Sequence, residues 1–73
     1  MGFIEVNTVS GSKLAIKKDF IVFFRDYTPI PQEIVKQNPF LKGIPRCTLI
    51  QLTNPDAVFF CSDTYSDIVD QLK

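Results

Sequence analysis

Phe20-Ile21-Val22-Phe23-Phe24 sets five large apolar side chains on successive positions. A strand with one wet face alternates apolar with polar residues, so an unbroken run reads as a strand buried on both faces. The chain has 73 residues, which makes one domain near the lower size limit for folding without staples. So short a chain with a single strong helix covers one sheet face readily and the second only with help. The help must come from a loop of the chain or from another molecule.

To the N-terminal side of this run, Phe3 to Val9 reads as a strand with Ile4, Val6 and Thr8 on one face. Ser10-Gly11-Ser12-Lys13 is a turn, and Leu14 to Lys17 returns as a second strand with Leu14 and Ile16 inward. The third strand is Phe20 to Tyr27, rich in aromatic and β-branched residues. Residues 28–45 are different in kind. They hold Pro29, Pro31, Pro39 and Pro45, four of the chain's five prolines, which excludes a central strand. Pro31 to Asn38 predicts two helical turns, opened by Pro31 and stopped by Asn38-Pro39. A connection of this length is unusual in so small a domain and is usually functional or mobile.

To the C-terminal side, Arg46 to Thr53 is the fourth strand, Asn54-Pro55-Asp56 a turn, and Ala57 to Cys61 the fifth strand. Thr64 and Asp67 have the spacing of a capping box, and Tyr65, Ile68, Val69 and Leu72 form one apolar stripe of a helix. The fold class expected is α+β: a small antiparallel five-stranded sheet or open barrel, a C-terminal helix, and a Pro-rich insertion between strands three and four. One domain spans 1–73, with 28–45 inserted in it.

A loop of two or four residues in the last hairpin sets Thr48, Ile50 and Leu52 on one face with Ala57, Phe59 and Cys61. Ile4, Val6, Leu14, Ile16, Ile21 and Phe23 complete this predicted core. Cys47 then points away from Cys61, and a disulfide between them is geometrically excluded. The second face collects Phe20, Val22, Phe24, Leu49, Val58 and Phe60. Each large side chain left wet forfeits about 1.5–3 kcal/mol of burial, and small domains are stable by only about 5–15 kcal/mol. Ile34, Val35, Phe40, Leu41 and Ile44 from the insertion are candidates to cover part of the face, and a second copy of the chain is the other. The candidate interface is therefore Phe20, Val22, Phe24, Leu49, Val58, Phe60, Phe40 and Leu41, and a homo-oligomer is expected.

The Ile4-x-Val6 strand with its Ser-Gly turn, the Thr48-Leu-Ile-Gln-Leu-Thr-Asn54 strand, and the Asp63-Thr64-Tyr65-Ser66-Asp67-Ile68-Val69 helix start resemble the FlbD-like family of very small bacterial proteins. The likeness extends to phage and bacterial chains of the same layout. It covers residues 3–27 and 46–72, and it implies a compact β-sheet with a C-terminal helix. FlbD-like proteins are flagellar accessory factors without a known catalytic centre, so the resemblance implies no site residues. The family joins its middle strands briefly, whereas this chain carries residues 28–45 there, and Asn54-Pro55-Asp56 replaces the family's glycine-containing turn.

The remaining composition narrows the chemistry. Eight basic and eight acidic residues give zero net charge, and Lys17-Lys18 is the only adjacent basic pair, so nucleic acid is not an expected partner. The absence of histidine removes the usual general base and zinc ligand, and two cysteines fourteen positions apart lack metal or redox spacing. Asp63 and Asp67 complement the helix dipole. No enzyme, cofactor or metal is expected. The longest apolar run is too short to span a membrane, and Met1-Gly2 leads directly into a strand. Val6 stands where myristoylation requires Ser or Thr. The expectation is a cytoplasmic protein with reduced thiols.

Arg25, Tyr27 and Arg46 bracket the insertion and are the candidate ligand residues. Two arginines and a tyrosine meeting at its root would hold a small anion with forked hydrogen bonds, and the bland alternative pairs each arginine with a nearby carboxylate such as Asp26 or Glu33. The leading functional expectation is a non-enzymatic binding or assembly module that self-associates or docks on a protein partner through an apolar sheet face. An oligomeric phage-type protein that sequesters an anionic metabolite or nucleotide is the alternative, and a small transcriptional regulator is the second.

Overall fold

The computed structural model describes residues 2–73. Its described residues form five antiparallel strands in two sheets, followed by a C-terminal helix, and the sheets do not close into a barrel. The strands are β1 (Phe3–Asn7), β2 (Lys13–Lys17), β3 (Ile21–Tyr27), β4 (Cys47–Leu52) and β5 (Val58–Cys61). The helices are α1 (Gln32–Gln37) and α2 (Tyr65–Leu72), and single 3-10 turns occupy Lys18–Phe20 and Pro39–Leu41.

β1 and β2 form a hairpin in which Ile4 faces Ile16 and Val6 faces Leu14. Its turn is tied by the Thr8 hydroxyl, which accepts from the Ser12 N–H at 3.1 Å. Gly11 has φ 94° there, a left-handed conformation that glycine adopts without Cβ strain. Beyond Asn7 the chain leaves β2 and meets β5. Val9 N–H donates to the Phe60 carbonyl at 3.0 Å, and Ser62 N–H donates to the Asn7 carbonyl at 2.8 Å. This corner joins the two sheets.

The second sheet has the order β3-β4-β5. Thr48 lies opposite Cys61 and Ile50 opposite Phe59, the register expected from the hairpin loop. β3 departs from expectation. Ile21 pairs with Leu52 but Phe23 with Gln51, so Val22 is an extra residue in β3. This is a β-bulge, and it reverses the faces of everything after it. Phe24 therefore turns to the core side opposite Ile50, and Phe23 turns outward. Both are corrections to the predicted faces. Phe20 lies in the 3-10 turn ahead of β3 instead of opening the strand.

The core consists of Ile4, Val6, Ile16, Ile50, Cys61 and Ile68, and Phe24, Phe59 and Leu72 are among the half-buried side chains packed against it. α2 closes this core, and its first turn carries the expected capping box. Asp67 N–H donates to the Thr64 hydroxyl at 3.1 Å, and Thr64 N–H donates to the Asp67 carboxylate at 3.4 Å. Tyr65 stacks obliquely on Phe24, with ring centroids 4.8 Å apart.

Residues 28–45 lie against the outer face of the second sheet. Leu41 is fully buried, and so is Cys47, which opposes Tyr27 on that face. Phe40 meets Phe60 edge-on at 5.7 Å. The insertion therefore covers the end of the face nearest Cys47 and leaves Phe23, at the other end, partly in solvent.

Candidate functional site

Phe3, Phe20 and Phe40 are 60 %, 50 % and 58 % exposed. They come from the start of β1, the turn before β3, and the insertion, and the fold gathers them around one apolar groove. The groove is made of two cavities, of about 280 Å³ and about 440 Å³, that share Leu14 and Phe59. Phe3 and Phe20 line the first with Ile16 and Leu52. Phe40 and Phe60 line the second, together with Thr8, Ser10 and Ser12. Wide exposure of aromatic side chains around a concave apolar floor is the usual mark of a binding surface. The Lys17 ammonium lies over the Phe20 ring at 5.6 Å, a cation–π contact at the mouth of the first cavity.

The predicted interface residues divide. Phe20, Phe40 and Phe60 line the groove. Leu49 and Val58 are half-buried on the outer sheet face, and Val22 is exposed at the bulge. Phe24 faces the core, and Leu41, part of the insertion, is fully buried. Neither of these two is available to a partner.

Arg25, opposite Leu49, and Tyr27, opposite Cys47, share the outer sheet face. Arg46 precedes Cys47 and by the same alternation leaves the strand on the other side, where its Nη1 donates to the Ser62 carbonyl at 3.2 Å. The structure thus sets Arg25 and Tyr27 two positions apart on one sheet face and Arg46 at the junction of β5 and α2.

That junction holds polar roles that the sequence did not signal. The Asp63 carboxylate accepts from the Asn7 N–H, and the Thr48 hydroxyl donates to the Asp63 carbonyl at 2.7 Å. Gln71 exchanges two hydrogen bonds of 2.8 Å with the backbone of Glu5. The Asn7–Asp63 and Glu5–Gln71 contacts link residues more than fifty positions apart, and with Thr48–Asp63 they anchor α2 and the residues before it to β1 and β4. The two thiols are free and buried. Burial, followed by the Asp63 carboxylate and Cys47, pushes the Cys61 thiol up to about 12. Burial and then Asp26 raise the Cys47 thiol, with Arg46 acting in the opposite sense. Protonated thiols of this kind are poor nucleophiles. Among the described residues, no group of three or more His, Cys, Asp or Glu side chains is placed to hold a metal. No helix among them is long and apolar enough to cross a membrane.

No family model, curated protein or solved structure matches the chain.

Proposed function

We propose that the chain is a non-enzymatic binding and assembly module, which takes a second copy of itself or another protein on the apolar groove and the aromatic side chains around it. The observation that carries this reading is the convergence of Phe3, Phe20 and Phe40 on one groove. Removing an exposed phenylalanine from water is worth about 1.5–3 kcal/mol, and a partner that covers several of them gains most of that. The groove floor is nearly all apolar, so the surface suits packing better than bond-making. A module without a catalytic centre also agrees with the FlbD-like resemblance.

Sedimentation velocity over a concentration series tests the proposal, with the wild-type chain beside a Phe3→Ser/Phe20→Ser/Phe40→Ser variant. Concentration-dependent association in the wild type, lost in the variant, is the expected result. A monomer at every concentration, joined with no protein retained by the immobilised chain, would overturn the reading.

A further inference from the structure

We infer that the open edge of β2 receives an extended strand of another protein in which acidic residues alternate with apolar ones. This rests on the binding-module reading and specifies its partner. Thr8 N–H donates to the Ser12 carbonyl at 2.8 Å, and Lys18 N–H donates to the Gly2 carbonyl at 2.6 Å. These two bonds bracket the β1–β2 ladder. Bonded pairs recur at every second residue of an antiparallel pair. Leu14 and Ile16 therefore turn their backbone groups to β1, and Lys13, Ala15 and Lys17 turn theirs outward.

The same alternation sends the backbone of Glu5 and Asn7 away from β2, and both are met. Gln71 bonds Glu5 on both sides, while Asp63 and Ser62 satisfy Asn7. No such partner meets Lys13, Ala15 or Lys17 among the described residues. β3 is the other outer strand, but its bulge at Val22 and its exposed Arg25-Asp26 pair blunt it against pairing. β2 is regular along its whole length.

The smaller cavity touches Leu14, Ala15, Ile16 and Lys17 in succession. Successive residues of a strand point to opposite faces, so a space that meets all four reaches around the β2 edge, here near the Lys17 end where Phe3 of β1 also lines it. An added strand would bond the outward backbone groups and lay alternate side chains toward Phe20 and Phe59, in the manner of β-augmentation.

The side chains on the exposed face select the partner. Lys13 and Lys17 flank Ala15 there. A second copy of β2, paired with full overlap about a two-fold axis at Ala15, would set Lys13 opposite Lys17 twice. Like charges directly opposite are destabilising, and opposite charges are favourable. The edge thus disfavours its own copy and favours a foreign strand with acidic residues opposite the two lysines.

Titration of the isotope-labelled chain with two short peptides tests this, one alternating valine with glutamate and the other valine with lysine. The glutamate peptide is expected to shift the amide resonances of Lys13, Ala15 and Lys17 and to bind roughly tenfold or more tightly than the lysine peptide. Lys13→Glu/Lys17→Glu reverses the preference. Ala15→Pro removes an outward N–H, which an edge strand tolerates, and abolishes binding while the β3–β5 resonances persist. Equal affinity for both peptides, or shifts confined to other strands, would overturn strand addition. So would dilution shifts of the free chain centred on β2, because the occupant would then be a second copy. An inert glutamate peptide alongside intact phenylalanine-dependent association would remove the β2 edge as the site and leave the module reading standing.

Discussion

At the scale of single residues, the two cysteines are instructive because their chemistry follows from which side of β4 and β5 they occupy. Cys61 lies in the core, and Cys47 lies under the insertion on the opposite face. An unfolded thiol loses its proton near 9, whereas the native Cys61 keeps its proton to about 12. Between these values the unfolded chain binds fewer protons than the native one, so stability falls as pH rises through this window. Below about 9 the Cys61 contribution is complete and does not vary. Urea midpoints from pH 7 to 11 are expected to decline more steeply in the wild type than in Cys61→Ala, and equal slopes would refute the assignment. Neither thiol should react with an aromatic disulfide reagent in the native state at neutral pH. The hairpin loop length alone puts the two residues on opposite faces. The Asn7–Asp63 and Glu5–Gln71 contacts were not legible, because a side chain bonding a distant backbone group leaves no periodic trace.

At the scale of elements, α2 and the last hairpin were the most legible parts of the chain. The Thr64-to-Asp67 spacing and the Tyr65, Ile68, Val69, Leu72 stripe fix the start of the helix and the face it turns to the core, on which Ile68 is buried and Tyr65 stays partly exposed. Thr64→Ala removes the acceptor for the Asp67 N–H and is expected to cost about 1 kcal/mol of stability, read as a lowered urea midpoint with an unchanged slope. Loss of less than a few tenths would show that the box is idle. β3 was legible as a strand but not in its facing. A bulge shows in sequence only when something like glycine marks it, and Val22 gives no such mark. One extra residue therefore exchanged the roles of Phe23 and Phe24.

At the scale of the whole molecule, the question posed by a sheet apolar on both faces is answered in two parts. The insertion covers the end around Cys47, with Leu41 as its buried anchor, and the groove bordered by Phe3, Phe20 and Phe40 stays open to a partner. Leu41→Ala leaves a cavity and is expected to cost about 2–5 kcal/mol, together with faster proteolysis within residues 28–45. Phe40→Ala, at an exposed ring, should cost far less. Equal costs for the two substitutions would mean that the insertion is not anchored as described.

Five strands, the register of the last hairpin, the capped helix and the separation of the two thiols can all be read from the residues alone. All of these follow from alternation, turn length and capping, which act over a few residues. Where the bulge falls, which apolar side chains the insertion covers and which remain exposed come from tertiary packing instead. Those outcomes depend on how the hairpin, the second sheet and the insertion pack together, and that packing is set by contacts between residues far apart in the chain, for which local pattern carries no signal.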